Sequence, residues 1–176
     1  MYKQLITMGL ILTGIQPVQS AELEELFKGF NQGCQMTKKF SSFHLSLIKN
    51  NKNPKNNDYY LPGNPRLPQG IRGKLGQVKL TVNNKDNYTL AKLPLTGKFY
   101  GLPVVEYQGL YGNANGINSM SFIINAPVNK VKNVLQKNRV YITSYVSPSD
   151  VSSSDTLKAE LVPKGQQTYI VCDWSF

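Results

Sequence analysis

The sequence predicts an α+β domain. Its sheet is mainly antiparallel and twisted, with about six to eight strands, packed by an N-terminal helix and a central helix and tied by one disulfide. Three observations carry this. Apolar residues alternate with polar ones in short runs from Val78 to Trp174, separated by turn-forming residues. A helical period appears twice, after Ala21 and after Pro127. The chain has two cysteines, Cys34 and Cys172.

The stretch from Leu93 to Arg139 organises the rest. Val105, Tyr107 and Tyr111 alternate with Glu106, Gln108 and Leu110, the period of a strand. Gly109 interrupts the run and reads as a bulge. Met120, Phe122 and Ile124 form one face of a return strand, and the glycines and asparagines from Gly112 to Gly116 supply the turn. Pro127 then suits a first helical turn, where a missing N–H costs nothing. Val128, Val131 and Leu135 share one face of that helix, Lys130 and Lys137 lie opposite, and Asn138 ends it. Such a helix is expected to pack across the apolar face of the preceding hairpin.

Leu23, Leu26, Phe27 and Phe30 fall at i, i+3, i+4 and i+7 of an amphipathic helix whose first turn carries glutamates. Phe43, Leu45 and Leu47 alternate with His44 and Ser46 and read as a short strand, although Phe40, Phe43 and Leu47 also suit a helix. Residues 49–74, rich in Asn, Pro, Gly and positive charge, read as a long loop. Further strands follow at Val78–Val82, Tyr88–Leu93, Val140–Val146, Leu157–Leu161 and Tyr169–Trp174. A Ser/Asp loop spans Ser147–Thr156, and Pro163-Lys164-Gly165 reads as a turn.

Residues 1–20 have the form of a cleaved secretory leader: Lys3, an apolar run from Leu5 to Ile15, and Val18-Gln19-Ser20 before the cut. That run falls short of the roughly 20 apolar residues needed to span a bilayer. A single domain then occupies residues 21–176. The formal charge is +10, and loss of Lys3 with the leader leaves +9. A basic exported protein meets anionic partners: an acidic protein, lipid headgroups or an acidic polysaccharide. Export also disfavours nucleic acid as the partner. In an oxidising compartment the cysteine pair predicts a Cys34–Cys172 bond. It would close a loop of 138 residues, for which chain entropy predicts roughly 5 kcal/mol of stabilisation as an upper figure.

The residues for catalysis are sparse. His44 is the single histidine, so any Ser-His-Asp or Cys-His site must use it, and its place in the alternation puts it on an exposed strand face. Glu106 and Asp173 are acids inside predicted strands, and a hydrolase using Glu106 or His44 is the weakest of the readings. No metal-ligand spacing, dinucleotide loop or phosphate loop occurs, so no cofactor and no metal are expected.

The loop carries the best functional lead. It gathers Tyr59, Tyr60, Arg66, Arg72 and Lys74, with three prolines between Leu61 and Pro68 that lower its ordering cost. Tyr and Arg are enriched where interfaces hold most tightly, and the same side chains can stack on sugars. The sequence therefore predicts a non-enzymatic, exported binding protein of a bacterial envelope. An inhibitor or immunity protein against a periplasmic toxin or cell-wall hydrolase is the most concrete form. A basic module binding anionic lipid or polysaccharide is the second reading.

Overall fold

The computed structural model describes residues 22–28, 34–35, 37–51, 59–112, 116–140 and 159–175. The predicted leader, residues 52–58 of the predicted 49–74 loop, and residues 141–158, which hold most of a predicted strand and the predicted Ser/Asp loop, lie outside them.

The α+β architecture is as the sequence predicts. A 3-10 turn (Leu23–Glu25) precedes helix α1 (Lys38–Leu45). Strands β1 (Ile48–Asn51) and β2 (Tyr59–Pro62) form a two-stranded antiparallel ribbon. A seven-stranded sheet holds β3 (Lys74–Leu75), β4 (Lys79–Asn83), β5 (Tyr88–Phe99), β6 (Leu102–Gly112), β7 (Asn118–Ile124), β8 (Ala159–Lys164) and β9 (Gln167–Asp173). Its order is β3-β5-β6-β7-β9-β8, with β4 also paired to β5. Helix α2 (Val128–Lys137) follows β7. Every pairing among the described residues is antiparallel.

Strands β5 and β6 are longer than their period-two runs suggest, because a two-residue turn joins them. Tyr100 and Gly101 both have positive φ, 50° and 76°, as a hairpin turn matched to the strand twist requires. Pro94 does not end β5, since the register shifts between Pro94 and Gly97. Pairing moves there from β4 to β3, and the Pro94 carbonyl accepts from Gly76 N at 2.8 Å.

One sheet face is the core face. Leu93, Tyr107, Met120, Phe122, Ile170 and Cys172 on successive strands are all buried. Phe27 stacks on Phe122 at 4.3 Å between centroids and meets Phe99 edge-on at 6.0 Å.

Four expectations need correction. Where an amphipathic helix from Leu23 to Phe30 is expected, the described residues show a 3-10 turn at Leu23–Glu25, with Leu23, Leu26 and Phe27 buried as the pattern demands, and Phe30 lies outside them. That apolar face docks at the β5–β6 turn, where Glu24 accepts from Tyr100 N. The predicted strand at Phe43–Leu47 is instead the end of α1 and the residues after it. Thr37 caps the helix by accepting from Phe40 N at 3.2 Å, and Phe40, Phe43 and His44 share its buried face. Gly109 is not a bulge: it pairs regularly with Ala91 and Met120, while the shift in β6 lies between Val104 and Glu106. Finally, α2 packs mainly against β8 and β9, beside rather than across the β6–β7 hairpin.

The disulfide forms as expected between Cys34 and Cys172, with Cα atoms 5.9 Å apart. Trp174 Nε1 donates to the Cys34 carbonyl at 3.1 Å, a second tie between the same segments.

Candidate functional site

The predicted binding residues separate in space. Their segment does not form one protruding loop, because β2 pairs with β1 and Leu67 and Ile71 pack on the core. Tyr59 lies in β2, and Tyr60 turns towards the main sheet. Arg66 lies beside α1. Arg72 and Lys74 are exposed further along, Lys74 opposite Thr96 in the β3–β5 pair. Two concave sites result.

The first is a basic groove of about 570 Å³ between α1 and residues 64–68. Lys38, Lys39 and Arg66 line it with Ser42, Ser46 and Asn64, over an apolar floor that includes Phe43, Leu67 and Pro68. Among the described residues no carboxylate lines it. Helix α1 presents Lys38, Lys39 and Ser42 outwards because Phe40 and Phe43 take the opposite face into the core. The partner segment is seated by Gly63, whose N donates to the Leu47 carbonyl at 2.8 Å. Any side chain at position 63 would collide with the Ser46 carbonyl. The sequence signalled Arg66 but not its lysine neighbours, since a strand at residues 43–47 would not have placed them beside it.

The second is a cavity of about 480 Å³ where the β1–β2 ribbon meets the ends of β6 and β7. Register places Asn50 opposite Tyr60, so both reach the same space. Tyr60 packs on Tyr111 at 5.9 Å between ring centroids, and its hydroxyl donates to the Gly112 carbonyl at 3.3 Å. Leu45, Ile48 and Ile117 complete the apolar wall, and Asn118 adds a second carboxamide.

Behind this cavity lies His44, which is buried rather than exposed. Its ring stacks on Tyr111 at 4.7 Å. Nδ1 lies 2.7 Å from the Tyr107 hydroxyl, Nε2 lies 3.4 Å from Asn118 Oδ1, and the Tyr111 hydroxyl donates to the His44 carbonyl at 2.6 Å. Burial first, then the neighbouring Tyr111, pushes the Tyr107 hydroxyl well above its usual range, so it stays protonated. Burial does the same to Tyr111, with Tyr60 adding to it. A protonated Tyr107 hydroxyl donates to Nδ1, so the imidazole carries its proton on Nε2 and donates it to Asn118 Oδ1. Burial lowers the His44 pKa to about 4, against a smaller opposing effect of the Asn118 hydrogen bond.

This arrangement engages both imidazole nitrogens within the fold. Glu106 does not join them. It alternates with the inward Tyr107 and accepts from Gln108 Nε2 at 2.5 Å. Asp173 accepts from Ser175 N at 2.9 Å. Among the described residues no group of three His, Cys, Asp or Glu side chains could hold a metal, and no helix is long and apolar enough to cross a membrane. The His44 cluster escaped sequence reading because it depends on the helical alternative at residues 38–45. With Phe40 and His44 one turn apart, that alternative would have buried the histidine.

No protein-family model, curated protein or solved structure matches this chain.

Proposed function

We propose that this is an exported, non-enzymatic binding protein of a bacterial envelope, and that it holds an acidic protein partner in the α1 groove. An inhibitor or immunity role against a periplasmic toxin or cell-wall hydrolase is the form of this reading that best fits a small disulfide-tied domain. The observation that carries it is the convergence of Lys38, Lys39 and Arg66 on one concave surface, with no carboxylate among the described residues that line it. Three cations from the two walls of one groove favour an acidic segment and steer its approach. The apolar floor of Phe43, Leu67 and Pro68 favours a protein side chain over a flat headgroup layer. The leader and the net charge support export and an anionic partner. A non-catalytic role is supported by His44, whose nitrogens are committed to Tyr107 and Asn118.

The test compares capture from periplasmic extract by the mature protein and by a Lys38→Glu, Lys39→Glu, Arg66→Glu variant with an unchanged melting temperature. A partner retained by the native protein, lost from the variant and weakened by salt is expected. A partner retained equally by both removes the groove from the function. Binding to anionic vesicles that the same variant loses, with no protein captured, replaces this reading with the surface-module one.

A further inference from the structure

The second cavity is separate from the basic groove and differs from it in chemistry. Among the described residues no charged side chain lines it. Its surface combines two aromatic rings, Tyr60 and Tyr111, three aliphatic side chains, and the carboxamides of Asn50 and Asn118. A volume of about 480 Å³ falls within the range of small-ligand sites. Leu45 at its wall is 60% exposed, an apolar side chain on a helix otherwise amphipathic towards the core.

The hydrogen-bond pattern behind the cavity sets what it offers. His44 Nε2–H holds Asn118 through Oδ1. That leaves the Asn118 amide nitrogen as a donor at the cavity wall. Asn50 is exposed beside Tyr60 and supplies both a donor and an acceptor. The ribbon is held in place by the Tyr60 hydroxyl on Gly112, so the Tyr60 ring is oriented before any ligand arrives.

We infer that this cavity binds a neutral saccharide unit. A pyranose ring has an apolar C–H face that packs on an aromatic ring and a rim of hydroxyls that both donate and accept. Carboxamides match such hydroxyls without selecting a charge. An anionic sugar would find no cation among the described residues that line it, and a purely apolar ligand would leave the Asn118 donor and Asn50 unsatisfied. The inference does not depend on the role of the α1 groove.

The test titrates the full mature protein with chitotriose and maltotriose as neutral probes, digalacturonic acid as an anionic probe and indole as an apolar one. Two-dimensional amide NMR locates binding. A saturable response to a neutral trisaccharide, centred on residues 45–50, 60 and 117–118, is expected. Tyr60→Ala should weaken it about tenfold or more, the loss of one ring contact. Because Tyr60 also anchors the ribbon, Asn50→Ala is the companion variant. It lies on an exposed position and should weaken binding with an unchanged melting curve. Arg66→Ala, in the other groove, should bind the sugar normally. The inference is overturned if neither trisaccharide saturates the site, if digalacturonic acid binds as well as the neutral sugars, if indole alone binds, or if both cavity variants bind sugar like the native protein.

Discussion

The ring of Tyr111 stacks on His44 at 4.7 Å while its hydroxyl donates to the carbonyl of the same residue at 2.6 Å. One side chain from the middle sheet strand thus covers the imidazole and satisfies a carbonyl in the last turn of α1, where helices leave acceptors unpaired. The same helix supplies Lys38 and Lys39 to the basic groove. The contact therefore fixes the helix that both sites share.

Two hydroxyl deletions should rank in a defined order. In Tyr111→Phe the His44 carbonyl keeps a bond from Leu47 N at 3.2 Å, so the cost should be about 1 kcal/mol. In Tyr107→Phe the buried Nδ1 loses its 2.7 Å donor, and the cost should reach roughly 2–3 kcal/mol. Urea denaturation of both variants gives the comparison. Equal costs would show that the imidazole is not held as described.

Stability should fall as the pH is lowered through a window set by His44. Its folded pKa is lowered to about 4 from 6.5. Between these values the unfolded chain binds a proton that the folded state excludes, so stability rises with pH across the window. Acidification from pH 6.5 to pH 4 should remove about 3 kcal/mol from this group alone, with no further loss from it below that. His44→Gln keeps an acceptor and a donor at the site and should lose this part of the pH dependence. Unfolding followed at several pH values decides it.

Gly109→Ala should be costly although strands ordinarily accept alanine. A Cβ there would lie 2.5 Å from the Tyr111 hydroxyl oxygen and 2.8 Å from its ring. The ring would have to leave His44, at about 1–3 kcal/mol. Thermal melting with NMR of the His44 ring resonances would show both the loss and its place. A melting temperature unchanged from the native protein would mean that the ring has another position of equal energy.

Cys34→Ser should destabilise by about 2–5 kcal/mol, the usual cost of losing a native disulfide in a small domain. Non-reducing peptide mapping should show one linked pair, Cys34 with Cys172. Trp174 fluorescence should report the change, since its indole N–H donates to the Cys34 carbonyl.

What the sequence determined by itself was local or pairwise. Period-two runs marked the apolar faces of β7 and β9 and placed Tyr107 and Tyr111 of β6 inward, although the shift after Val104 buries that residue in place of Val105 and Val82 of β4 is exposed. The period after Pro127 marked α2, whose Val131 and Leu135 are buried. Two cysteines left one possible intramolecular pairing. These features are legible because backbone geometry repeats and burial follows the repeat. Tertiary structure decided the rest. Residues 43–47 satisfy either period, and helix won because Thr37 caps it and Phe40, Phe43 and His44 fill the core together. Gly109 looked like a break, yet its role is to leave room for a ring two residues away, which no local rule states. Tyr60 and Arg66, six residues apart in one proline-rich stretch, end in different sites because β2 pairs with β1 and then turns away at Gly63. Neither site is visible along the chain, since each is closed by side chains from segments that meet only when the sheet and α1 pack.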